Sequence, residues 1–396
     1  MNPSFRFPAL PKTPLTRSLK PIYGACLASV LCLLPPGAFA QITFVDLSPA
    51  NATGSAATAA TATQQVGFAD IGFASGEAAI WSGTAGSFVS LNPDGVTNAD
   101  VLGTNGTQQA GFAYFPGGPS GVANAALWSG TAASFVNLNP AGANFSVAAG
   151  IAGTQQAGYA GFIVDSSSVE YAGIWSGTAA SFVSLNPSGA LASQAFATSG
   201  TRQVGYAYLG PIGGGAENAG LWSGTAGSFV NLNPAGADSS EALAIGGTQQ
   251  AGFAVIGGIN NAAIWSGTAA SFVNLNPAGA DDSQANGTTG LLQAGYIDIG
   301  GVRNAALWSG TADSFVNLQA ALGDGFQSSD ALGIWTAGST TYVSGYAITA
   351  DGSQSDAILW AVPTPEPSST MLLISAGLMG LFRRPRRATR AGVVGF

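Results

Sequence analysis

The chain has 396 residues, 46% of them hydrophobic and only 8% charged, with a formal net charge of −8. A pI near 4.3 argues against a nucleic-acid partner, which selects a basic surface. The absence of histidine excludes Ser-His-Asp and Cys-His nucleophiles, His-ligated zinc and imidazole acid–base chemistry, and two cysteines are too few for a thiolate metal site or a disulfide framework.

Residues 1–40 are predicted to be a secretory signal peptide. Arg6, Lys12, Arg17 and Lys20 form a basic start, and Gly24 to Leu34 is a short apolar run. Ala38 and Ala40 place small residues at the −3 and −1 positions of a cleavage site before Gln41. This implies passage through Sec-type export machinery. Both cysteines, Cys26 and Cys32, fall inside this segment, so the mature chain has none.

The body, 41–361, is built from internal repeats. A phrase ending in Trp recurs with Trp81, Trp128, Trp175, Trp222, Trp265, Trp308 and Trp360, and a Phe marker recurs with Phe44, Phe88, Phe135, Phe182, Phe229, Phe272 and Phe315. A third marker, of the type Gln-Gln-Ala-Gly-Tyr, supplies Phe68, Phe112, Tyr159, Tyr206, Phe253, Tyr296 and Tyr346. Each unit reads as four short strands between Gly-rich turns. In the fifth unit these are a (Glu241 to Ile245), b (Gln249 to Ala254), c (Asn261 to Trp265) and d (Phe272 to Leu275), with c and d joined by a tight Ser-Gly-Thr hairpin turn.

Four strands repeated seven times predict an all-β fold, a seven-bladed β-propeller. The phase favours closure. Phe44 to Leu47 is an orphan strand d, and the last unit has a, b and c but no d of its own, so pairing the ends completes the seventh blade and removes an open edge. An open β-solenoid is the alternative, and it gives no reason for the matching ends. The Asn-Ala-Ala-[Ile/Leu]-Trp phrase also resembles the extracellular HAF-type repeats, here without their histidine.

Each Trp precedes its Phe by seven residues in the six units that hold both, whereas the interval from the strand-b aromatic to the next Trp runs 13, 16, 16, 16, 12, 12 and 14. Length variation thus concentrates in the b–c loops. These loops share a face with the d–a connections, and 16 of the body's 18 carboxylates fall there, against only Arg202 and Arg303, for a body charge near −16. Variable loops on one face are where repeat proteins place binding. The candidate ligand or cation residues on that face are Asp165, Glu217, Asp281, Asp282, Asp298, Asp351 and Asp356, with the irregular aromatics Tyr114, Phe115 and Tyr208. Oxygen-only ligands suit calcium or a cation-bridged extracellular polysaccharide. The competing interpretation is that Asp in Gly- and Asn-rich turns does turn chemistry and keeps the surface soluble. The repeat tryptophans are expected to pack between blades. No carboxylate pair departs from the repeat, so an enzyme is not expected, and a buried pair about 5–9 Å apart in a central pocket is what would argue for a glycosidase.

Residues 362–396 close the chain with Pro365-Glu366-Pro367, an apolar run from Thr370 to Phe382 predicted as a short hydrophobic helix, and the basic cluster Arg383, Arg384, Arg386 and Arg387. This three-part order resembles the PEP-CTERM sorting signal. The resemblance implies export, transient membrane insertion, processing by an exosortase near Pro365-Glu366-Pro367, and a destination at the cell surface or in the extracellular matrix as a structural or interaction protein. A surface glycan-binding, lectin-like propeller, or a glycan-active one, is the alternative.

Overall fold

The computed structural model describes residues 41–72, 74–96, 98–115, 122–164, 166–211 and 214–363. The signal peptide with Ala38 and Ala40, the hydrophobic helix, Pro365-Glu366-Pro367 and the Arg383 to Arg387 cluster lie outside the described residues, as does Asp165. Among the described residues no helix is long and apolar enough to cross a membrane.

Seven four-stranded antiparallel sheets form seven blades, each with its strands in the order a, b, c, d. The inner strands a are Ala52–Ala60, Asn98–Thr104, Phe145–Ala152, Ala190–Thr198, Ser239–Gly246, Asp282–Thr288 and Phe326–Ala337. The seventh blade is closed as its loose ends require. Thr43–Asp46 pairs antiparallel with Ser355–Pro363, with Phe44 opposite Trp360. The last described strand runs to Pro363, two residues past the boundary expected at 361.

The local phrases have physical causes. The strand-b glycine faces a bulge in strand a. A Cβ at Gly252 would sit 2.0 Å from the Glu241 carbonyl oxygen, and Gly67, Gly111, Gly158, Gly205, Gly295 and Gly345 show the same approach. The strand-b glutamine is a brace for the c–d turn, whose Gly130 N–H, for example, donates to Gln109 Oε1 at 2.8 Å. Blade 7 has no c–d turn, because the chain ends fall there, and Val343 takes that position opposite Trp360.

The c–d connection is not the tight hairpin expected from Ser-Gly-Thr. It continues into a single 3-10 turn (Ala269–Ser271 in blade 5), and strand d shrinks to two residues, Val273–Asn274. The Ser271 hydroxyl accepts the Ser266 N–H at 2.8 Å and donates to the Thr268 carbonyl at 2.6 Å, so the side chain closes a longer loop in place of the tight hairpin turn. Phe272 sits just before strand d and lays its ring against Trp265, centroids 6.0 Å apart.

The seven repeat tryptophans are buried wedges at the seams between blades. Trp222 of blade 4 packs with Ala157, Ala172 and Leu185 of blade 3, and Trp81 packs with Ala357 and Leu359 across the closure. Alternation is absent because both faces of each sheet are covered in this way. A buried serine in strand a ties six of the seven seams. The Ala219 N–H of blade 4 donates to Ser240 Oγ of blade 5 at 3.0 Å, and that hydroxyl donates to Asn233 Oδ1 at 2.6 Å. The closure uses the same bond, Ala357 N–H to Ser55 Oγ at 2.9 Å. At the one seam where strand a carries Ala99 instead, Asn92 Oδ1 accepts the Ala78 N–H at 2.9 Å.

Candidate functional site

The register brings the b–c turns and the d–a connections to one face. The Asp281 carboxylate reaches the Gly301 N–H of the b–c turn at 3.3 Å, and Asp238 reaches that of Gly258 at 3.4 Å. On this face two positions of the repeat vary together across each seam. One is the residue five before each Trp, and the other is the next blade's strand-a residue opposite the strand-b aromatic. The pairs are Gly76 with Asp100, Ala123 with Val147, Glu170 with Gln194, Glu217 with Glu241, Asn260 with Gln284, Arg303 with Asp330, and Ser355 with Ala56.

Three of these seams make direct polar contact. Gln194 Nε2 donates to Glu170. Glu217 and Glu241 share a carboxyl–carboxyl hydrogen bond; burial, then the neighbouring Glu217 charge, pushes Glu241 up to about 7. Arg303 bonds Asp330 at 3.2 Å and Asp298 at 3.3 Å, and its guanidinium lies 3.5 Å above the Tyr296 ring. Tyr296 in turn donates its hydroxyl to Asp282 at 3.0 Å. Burial raises Asp330 to about 7 against the pull of Arg303. At the Gly76 seam a small cavity is lined by Phe68, Asp70, Gly76, Asn98, Asp100 and Phe112. Asp70 there accepts the Gly76 N–H at 2.6 Å. Asp100 Oδ1 is buried without a partner, and burial lifts that carboxyl to about 7.

The predicted ligand residues do not form one constellation. Asp282 and Asp298 join the Arg303 cluster, while Asp281 holds a turn. Glu217 belongs to the blade 4–5 seam. Asp351 is exposed and is held down to about 2 by its own turn, accepting from Thr349 Oγ1 at 2.7 Å, Ser353 N–H at 3.0 Å and Ser353 Oγ at 2.8 Å. Asp356 faces Asp46 and Ser48 instead, and burial raises it. The aromatics are each engaged locally. Tyr114 meets Phe112 edge-on at 5.6 Å, Phe115 packs on Phe135 at 5.4 Å, and Tyr208 lies against Gly215. Among the described residues no group of three or more His, Cys, Asp or Glu side chains is placed to hold a metal ion.

The Glu217–Glu241 pair departs from the repeat, yet its carboxyls lie within hydrogen-bond reach, closer than the roughly 5–9 Å that glycoside hydrolysis needs. The axial cavity, about 470 Å³, is lined by inner-strand residues such as Thr58, Gly103, Ile151, Phe196 and Ile334 and by no charged side chain.

Sequence reasoning missed the eighth tryptophan. Trp335 stacks flat on Tyr342, centroids 4.5 Å apart and planes 9° apart, on the face opposite the acids. The pair lines a cavity of about 360 Å³ between blades 7 and 1. The available signal was the Phe315 to Tyr346 interval of 31 residues against 24 elsewhere. Part of that excess is the longer a–b hairpin of blade 7, whose strand a has 12 residues.

A comparison with solved structures aligns 81% of the chain with 57% of a puromycin hydrolase at 10% identity and a TM-score of 0.50. The chain thus spans little more than half of that structure's length. TolB from Acinetobacter baumannii aligns over 79% of both chains at 9% identity and a TM-score of 0.38. The phage phi92 endosialidase aligns over 90% of this chain and 72% of its own at 8% identity and a TM-score of 0.41. Such identities speak to the fold alone. No curated protein matches the chain. Residues 363–387 match the PEP-CTERM protein-sorting motif, beginning at the residue where the last propeller strand ends. The chain is therefore a seven-bladed β-propeller that carries the PEP-CTERM sorting motif, the mark of an exported protein with a membrane-associated precursor that an exosortase processes.

Proposed function

We propose that the protein is a surface or extracellular-matrix structural or interaction protein, delivered as a ring and detached from its sorting segment by an exosortase. The observation that carries this is the junction at Pro363. The last strand ends there and the sorting motif starts there, so a cut near Pro365-Glu366-Pro367 removes the apolar run and arginines without touching a blade. Before that cut the apolar run and arginines hold the precursor in the membrane, after a signal peptide ending at Ala40 has directed it through the Sec-type route. The carboxylates of the acidic face serve turns, blade seams and solubility, and the body's charge near −16 keeps copies apart until they meet a partner.

The test replaces Pro365, Glu366 and Pro367 with alanine in the native host. The reading expects the uncut precursor to accumulate in the membrane fraction and the extracellular pool to fall. An unchanged extracellular pool of normal mass contradicts it.

A further inference from the structure

We propose that the cavity at the closure between blades 7 and 1 is a binding site for a neutral sugar, a pyranose ring at the end or within a glycan chain. The proposal goes beyond the sorting reading and stands whether or not the sorting segment is cut.

The site exists because the repeat is broken there. Blade 7 lacks a c–d turn, since both chain ends fall at that position, and its a–b hairpin is the longest of the ring's inner hairpins at that end. The extended hairpin carries Trp335 opposite Tyr342, and the two rings stack into one slab. Across the seam stand the a–b turn of blade 1 with Thr63 and its c–d turn with Ser82 and Gly83. The cavity is open to solvent on one side, and its volume of about 360 Å³ falls at the lower end of the range for small-molecule sites.

The lining specifies the ligand chemistry. No charged side chain is among the lining residues. The aromatic slab offers a negative π-face to a surface of C–H groups. The opposite wall offers hydroxyls from Thr63 and Ser82 and the amide of Gln65, whose Oε1 is already fixed by the Gly83 N–H at 2.7 Å. An apolar face beside a hydroxyl-bearing edge is the description of a pyranose. A simple hydrocarbon would leave the polar wall unpaired, and an anionic sugar would meet a body of charge near −16 with no cation in the site. The buried Nε1 of Trp335 has no partner, but the seven repeat indoles share that feature, so it does not single out this site.

The test uses the propeller with methyl glycosides of glucose, galactose and mannose as probes, read by saturation-transfer NMR and titration calorimetry. At least one is expected to bind with saturable transfer. Trp335→Phe keeps an aromatic of smaller area and is expected to weaken binding about three- to tenfold. Thr63→Arg, at an exposed turn position, is expected to abolish binding while leaving the melting temperature unchanged, and it serves if the Trp335 variant does not fold. Glu241→Gln on the opposite face is expected to bind as the parent does. The proposal is overturned if none of the three glycosides binds the folded parent, or if Thr63→Arg binds them undiminished.

Discussion

Replacing Glu241 by glutamine should stabilise the protein at neutral and alkaline pH. The blade 4–5 seam holds two carboxyls in hydrogen-bond contact, and Glu241 is pushed from 4.5 up to about 7 by burial and by Glu217. The sign follows from proton counts. Below 4.5 the residue is protonated in both states and contributes nothing. Between 4.5 and about 7 the unfolded chain releases the proton while the folded chain retains it, so stability falls across that window and the full cost stands above it. A shift of that size corresponds to about 3 kcal/mol, and water at the edge of the seam reduces it to about 1–3 kcal/mol. The neighbouring seam shows that the amide fits, because Gln194 already donates to Glu170 there. Thermal melting of parent and Glu241→Gln at about pH 4 and about pH 8 isolates the effect, since the background of other carboxyls cancels in the difference. The variant is expected to match the parent at about pH 4 and to melt a few degrees higher at about pH 8. Equal melting at about pH 8, or a variant that loses stability there, refutes the account of the seam.

Four further outcomes are expected. The parent itself should melt higher near pH 5 than near pH 8, because burial raises Asp100, Glu241 and Asp330 to about 7 and each destabilises the fold as it ionises; a melting temperature that rises over that range contradicts this. Trp222→Ala should cost about 3–5 kcal/mol in denaturant unfolding, since it empties the wedge between blades 3 and 4. Gly252→Ala should cost about 1–3 kcal/mol, because the added carbon meets the Glu241 carbonyl at 2.0 Å and the bulge must move. Deleting residues 41–47 removes the strand that pairs with Ser355–Pro363 and the buried Leu47, so size-exclusion chromatography should show self-association through the bared edge, whereas a monomer of unchanged melting temperature argues against a closed ring.

The architecture was legible because each blade repeats its own instructions. Seven Trp, seven Phe and seven strand-b aromatics set the blade count, and the unmatched Phe44 strand announced the closure that the Phe44–Trp360 register displays. The c–d connection was longer than a tight turn because a 3-10 turn held by a Ser hydroxyl closes it and takes in Phe272, and residue type alone does not distinguish that loop from a hairpin. The seam pairs were hidden for a different reason. Glu217 and Glu241 lie 24 residues apart in different blades, and they meet only because the bulge beside Gly252 fixes which strand-a residue faces the seam. The acid count on one face was readable. That those acids divide among turns and seams, as Asp351 and Arg303 with Asp330 show, depends on donors that only the folded chain brings near. The insertion that carries Trp335 was harder to read, because it lengthens one a–b hairpin on the face opposite the variable b–c loops.

Intact mass of the native protein, taken separately from the membrane and extracellular fractions, tests the central claim most directly. The account predicts an extracellular or matrix-bound species that begins at Gln41 and ends close to Pro365-Glu366-Pro367, a ring with all seven blades and no basic tail. A species found only in the membrane and still carrying Arg383 to Phe396 would contradict it.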